Sequence, residues 1–177
     1  MGPIADQDVA VFVQEFILDE IRGLMARAGA VETGGVLIGH LHRDDERNDV
    51  FLEIAAQIPA RFTQQELTSL TFTPETWSDV DAAVALRGRD EIHVGWWHSH
   101  PAREWCKNCP AENRAVCKRS GEFFSSDDAA LHRTIFPRAY SVGLVVSDSY
   151  ASGLTFPMFG WKNGQIATRG FHVLRER

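Results

Sequence analysis

The stretch WWHSHPAREWCKNC, residues 96–109, sets His98 and His100 one residue apart, just ahead of a Cys106-x-x-Cys109 pair, and a third cysteine follows at Cys117. In an extended segment, side chains two apart point to the same face, so both imidazoles can reach one ion. Two ligands alone hold zinc poorly. Asp128, at the start of an expected helix, can bring a carboxylate, leaving the fourth position to water as a catalytic site requires. Such a site also needs a base to take a proton, and Glu32, beside a glycine turn, is the upstream candidate. Taken alone, an H-x-H pair also fits two surface histidines at a strand end.

The cysteines pose a separate question. Cys106 and Cys109 have zinc-knuckle spacing and Cys117 can close a third corner, but thiolates beside a catalytic ion would fill its open position. A second, structural zinc is therefore expected. His132 is the first candidate for its fourth ligand, with His40, His42 and a carboxylate such as Glu112 also open. The alternative is three reduced cysteines in an ordinary loop, because an odd cysteine count in one cluster does not suit a disulfide framework. Otherwise His40, His42, His93 and His172 lie in or beside strands without partners at ligand spacing, and they read as satisfied core or surface residues.

The elements that must position these groups follow from periodicity. Between Val9 and Ala28, apolar residues recur at three and four, which predicts an amphipathic helix with Asp6 or Asp8 as cap and Gly29 as stop. ETGGVLIGHL (32–41) and VFLEIAAQI (50–58) read as two strands of a hairpin. RFTQQELTSL reads as irregular and polar. A second helix is expected from Thr73 as N-cap and Pro74 at its first position to Gly88. EIHVGWW (91–97) is a β-branched, aromatic strand ending at HSHP, since Pro101 cannot donate to a ladder. SSDDAALHRTIF starts a third helix, SVGLVVSD a further strand, and LTFPMFGWKNGQIATRGFHVL a hairpin turning at Asn163-Gly164.

The chain has 177 residues, 44% of them apolar, enough for one domain with its own core. A net charge of -6 without a basic block argues against nucleic-acid binding. No segment has the length and apolarity of a signal peptide or a membrane span, so a soluble, cytoplasmic protein is expected.

In combination, ETGGVLIG, HSHP at a strand end, and Ser125-Ser126-Asp127-Asp128 as an S-x-x-D helix start resemble the JAMM (MPN+) zinc isopeptidases. The element order fits that fold along nearly the whole chain. The resemblance implies Glu32 as the base, His98, His100 and Asp128 as ligands of the catalytic zinc, and Ser125 as the donor to the oxyanion. One departure is that the family's aspartate follows the second histidine more closely. Here the extra stretch AREWCKNCPAENRAVCKRSGEFF intervenes, a Cys-bearing insertion at about 102–124, and Asp127 is a rival for Asp128. Ser125-x-x-Asp128 is also by itself a helix capping box, with Phe124 placed as a staple. Family members with a second zinc in this region imply that the insertion shapes the substrate groove. Trp96 and Trp97 are expected in core and groove wall, and Trp105 over the scissile bond.

The expected architecture is α/β: a single MPN-like domain over residues 1–177 with a curved, mixed sheet flanked by helices. By resemblance, the function is zinc-dependent cleavage after the C-terminal glycine of a ubiquitin-like protein, beside the activating and conjugating enzymes of that pathway. A non-catalytic scaffold or binding module of the same fold is the alternative. A nucleoside-type zinc deaminase would need H-x-E and P-C-x-x-C, and neither is present.

Overall fold

The computed structural model describes residues 1–177 except 3, 5–8, 48, 61, 62, 67, 68, 118–122, 176 and 177, with the side chains of 61–71 also left out. Its centre is β6 (Ile92–His100), the strand that carries the histidines. β6 pairs antiparallel with β2 (Gly34–Asp44) on one side and parallel with β7 (Val142–Ser149) on the other. β2 forms a long antiparallel hairpin with β3 (Asp49–Pro59), with a register shift between Ile38 and Gly39. Beyond β3 lie β1 (Ala10–Gln14) and β11 (His172–Leu174), both joined in parallel, and beyond β7 lie β9 (Met158–Lys162) and β10 (Gln165–Arg169). The result is a curled, mixed sheet flanked by helices, as the sequence led us to expect.

Alternation along β6 builds both layers of the core. Trp97 points to the face covered by α1 (Glu15–Ala28), where Ile17, Leu18, Ile21 and Met25 pack against Leu37, Leu52, Ile54 and Leu144. Trp96 points to the opposite face, beneath α2 (Pro74–Arg87) and beside α4 (Ser126–Ile135), with Val36, Ile38, Val80 and Phe136. Each aliphatic side chain fully buried in this way contributes roughly 1.5–3 kcal/mol. Close approach at the head of β2 requires glycine, because a Cβ on Gly35 would sit 2.4 Å from the Ile58 carbonyl oxygen and 2.7 Å from Trp97 Nε1.

α2 begins and ends where its caps dictate. Thr73 accepts the Thr76 N–H, Pro74 occupies the first turn, and Gly88 closes the helix at φ 57°. The turn at Asn163 and Gly164 has positive φ at both residues, 50° and 77°, and joins β9 to β10 as a tight hairpin.

Three expectations change. Val9 to Gln14 does not extend the first helix: Ala10–Gln14 is strand β1, with Val11 and Val13 buried and their neighbours half-buried. Val9, Phe12, Val13 and Phe16 satisfy helical spacing, but Val11 and Val13 equally satisfy period two, and pairing with β3 and β11 decides the outcome. Asp6 and Asp8, considered as caps, lie outside the described residues, and the N-cap is Gln14. RFTQQELTSL is not irregular throughout. It contains β4 (Thr63–Glu66) and pairs through it with β5 (Ser69–Phe72), in a small hairpin held by backbone bonds that a polar composition does not prevent. The C-terminal segment is more than one hairpin: β8 (Gly153–Thr155) returns to β7 and β11 crosses to β1. The insertion carries a short helix, α3 (Ala102–Cys106), and a single 3-10 turn at Ala111–Asn113. No helix among the described residues is long and apolar enough to cross a membrane.

Candidate metal centre

His98 and His100 end β6 on the face shared with Trp96, and both are only 2% exposed. Trp96 stacks beneath His98, ring centroids 4.8 Å apart and planes 17° from parallel, which fixes the orientation of that imidazole. The two Nε2 atoms are 3.1 Å apart, and Asp128 Oδ2 lies 3.5 Å from His98 Nε2. Ligands at tetrahedral corners about 2.0–2.1 Å from zinc stand about 3.3 Å apart, so these separations fit one shared ion. The donor set, two imidazoles and a carboxylate, is one zinc accepts. Burial holds His98 below its ordinary pKa, against the pull of Asp128, so it presents a neutral ring with a lone pair.

Asp128 reaches the site through the start of α4. Ser125 Oγ accepts the Asp128 N–H at 3.0 Å, and Asp128 Oδ2 accepts the Ser125 N–H at 2.7 Å, forming a reciprocal capping box. The same carboxylate oxygen therefore faces His98 while its own helix holds it. Asp127, the rival, is exposed and lies outside the cluster of donors.

Glu32 sits just before β2, 5% exposed, with Oε1 3.8 Å from His100 Nε2. That distance is too long for a hydrogen bond. Burial, reinforced by the negative charge of Asp128, pushes the Glu32 carboxyl up to about 8. The Asp128 charge disfavours ionisation of the buried Glu32 carboxyl, and a divalent cation held between them would offset that repulsion.

Ser99 has a role that the motif alone does not reveal. Between the two histidines it points to the other face, is fully buried, and its Oγ accepts the Thr33 N–H at 3.0 Å while its own N–H donates to the Thr33 carbonyl at 2.8 Å. It ties the turn bearing Glu32 to the strand bearing the ligands. Strand alternation and the register Gly34 opposite His98 are the signals that point to it. Trp105 donates its indole N–H to the Ala30 carbonyl at 2.8 Å and lies 5.6 Å from the His100 ring. It fastens α3 of the insertion to the same turn.

The three cysteine sulfurs form a second group, their atoms within 4.8 Å of one another, with Cys106 fully buried. Burial first, then hydrogen bonding and repulsion from Cys117 and Cys109, pushes the Cys106 thiol up to about 12, a penalty that a bound cation reverses. His132 does not join them. Its ring is 0% exposed, its Nδ1 accepts the Trp96 indole N–H at 3.1 Å, and it packs with Phe124, Phe136 and Trp161. Being one turn from Asp128 puts it on the helix face that packs on the sheet, not toward the insertion. Among the described residues no fourth ligand completes the cysteine group. His40 and His42 do have a partner at ligand distance, contrary to expectation, and it is Glu53. His93 pairs with Asp81 at 3.3 Å, and His172 stacks on Phe12.

Comparison with known proteins bears on the family and the fold. A family model described as prokaryotic homologues of the JAB domain matches residues 15–104, just over half of the chain. That span includes Glu32, His98 and His100 and stops before the cysteines and Asp128. The solution structure of protein DSY2949 from Desulfitobacterium hafniense is similar in fold, with a TM-score of 0.60 at 16% identity, covering 94% of this chain and 92% of that one. None of the curated proteins matches in sequence.

Proposed function

From the premise that the chain belongs to the prokaryotic homologues of the JAB domain, we propose that it is a zinc-dependent peptidase. Its bond is the amide that follows the C-terminal glycine of a ubiquitin-like protein, an isopeptide or a peptide extension. The observation that carries this reading is the convergence of donors from buried His98, buried His100 and half-buried Asp128 beside a protonatable Glu32.

His98, His100 and Asp128 would hold the ion, which supplies a Lewis acid that polarises a carbonyl and lowers the pKa of water. Glu32 takes the proton from the attacking water and delivers it to the leaving amine. A carboxylate raised toward neutrality by burial suits both halves of that transfer, because it can hold the proton between them. Ser125 Oγ accepts the Asp128 N–H, so its hydroxyl proton remains to donate to the developing oxyanion. Ser99 and Trp105 hold the Glu32 turn against the ligand strand. The substrate and its conjugating partners are inferred from the JAMM-type pattern of Glu32, His98, His100, Ser125 and Asp128. The cysteine trio is assigned to a second, structural zinc that stiffens the insertion beside the site.

Metal removal tests this directly. Chelator-treated protein should stop cleaving a ubiquitin-like fusion after its terminal glycine and recover when zinc is returned. Cleavage indifferent to chelation would reject the metal mechanism. Tight binding of the ubiquitin-like protein without any cleavage, in zinc-replete protein, would make the chain a scaffold.

A further inference from the structure

Away from the proposed active site, β2 and β3 bring together His40, His42 and Glu53, and one donor atom from each lies within 4.8 Å of the others. Strand geometry explains the grouping. His40 and His42 are two apart on β2 and share a face, and Glu53 is the direct cross-strand partner of His40 on β3. The register shift between Ile38 and Gly39 is what brings Glu53, rather than a neighbour, opposite His40. The catalytic end of β2 is Gly34, opposite His98, so His40 lies six residues along the strand, roughly 20 Å away at about 3.3 Å per residue.

We propose that His40, His42 and Glu53 form a separate site for a divalent transition-metal ion of the zinc, nickel or copper class. Each donor is already oriented by a neighbour, as ligands in metal sites are. His40 Nε2 lies 2.8 Å from the Arg89 carbonyl, which can only accept, so Nε2 carries the ring proton and Nδ1 keeps its lone pair. The His42 ring stacks on Phe51, centroids 4.9 Å apart and planes 15° from parallel. Its Nε2 is 2.9 Å from Glu53 Oε2, with a proton between them that a metal ion can replace. Gln14 Nε2 donates to the other Glu53 oxygen at 3.4 Å.

Two imidazoles and one carboxylate select a borderline-soft ion over calcium or magnesium, which prefer all-oxygen cages. The His42 and Glu53 side chains are 40% and 29% exposed, so water completes the coordination and the ion exchanges with solution. This site is therefore weaker than a closed structural one and fills as the free-metal concentration rises. By linking adjacent strands at the hairpin, occupancy stabilises the folded chain by mass action.

The test is a calorimetric titration of zinc into zinc-replete, desalted protein. Wild type should take up about one further ion per chain, as three convergent ligands allow. His40→Asn, His42→Asn and Glu53→Gln should each weaken that uptake at least about tenfold, since loss even of a supporting partner around a metal costs that much. Asp128→Asn and Cys109→Ser should leave it in place, which separates this site from the two described above. Circular dichroism confirms that each variant folds, and if His42→Asn does not, His40→Asn and Glu53→Gln decide. Absence of any further uptake by wild type would overturn the proposal. So would unchanged uptake by His40→Asn and Glu53→Gln, or its loss in Cys109→Ser alone.

Discussion

Asp128 is held in place by its own helix before any ion arrives. Its carboxylate accepts the Ser125 N–H, its N–H donates to Ser125 Oγ, and the same oxygen faces His98. Capping and ligation are therefore one geometry, and a substitution can separate them. Asparagine at this third helical position can still accept the Ser125 N–H through its amide oxygen but carries no charge. Asp128→Asn should keep thermal stability within about 1 kcal/mol, the usual worth of a cap, while the zinc held by His98 and His100 falls sharply. Full zinc retention would mean that Asp128 is only a cap. The histidine one turn on behaves differently. Burial lowers His132 to about 4 from its ordinary 6.5. As pH falls below 6.5 the unfolded chain takes up a proton that the folded ring refuses until about 4. Stability is thus full above 6.5 and declines between 6.5 and 4, by about 3 kcal/mol at most. In metal-free protein, denaturant midpoints should fall more steeply from pH 6.5 to 5 for wild type than for His132→Gln. Parallel slopes would contradict the assignment.

At the scale of elements, what sequence revealed and what it concealed divide by whether the signal is local. α2 was legible because Thr73, Pro74 and Gly88 mark its ends, and the β9–β10 turn because Asn163-Gly164 demands it. β1 was not, because nothing within AVFVQ favours a strand over a helix until it lies between β3 and β11. The same limit applies to the sites. His98, His100 and Ser125 to Asp128 are short motifs at strand and helix ends, whereas the grouping of His40 and His42 with Glu53 depends on a shifted cross-strand register. His132 was misplaced because spacing gives a helix face but not what that face packs against. The insertion makes its own prediction. If zinc ties Cys106, Cys109 and Cys117, Cys109→Ser should lower bound zinc by about one ion per chain, the content of one closed site. The insertion should then become more protease-sensitive, with the His98 site still metallated. Unchanged zinc content would leave the three cysteines as ordinary thiols.

For the molecule as a whole, the sheet acts as a frame that brings distant segments to one point. β6 supplies two histidines, the turn before β2 supplies Glu32, and α4 supplies Asp128, while Ser99 and Trp105 brace the turn. The proposed reaction and a scaffold differ in what they ask of Glu32. The most direct measurement is therefore hydrolysis by Glu32→Gln, which keeps the side chain's size and removes its proton-transfer capacity. A group that moves a proton in the transition state contributes to turnover and little to ground-state binding. With zinc content verified as unchanged, the variant should bind a ubiquitin-like fusion as wild type does. It should cleave after the terminal glycine about 10²- to 10⁴-fold more slowly, the usual worth of a general base. Cleavage within about threefold of wild type, far short of that range, would show that Glu32 is not the base and that the proposed mechanism is wrong.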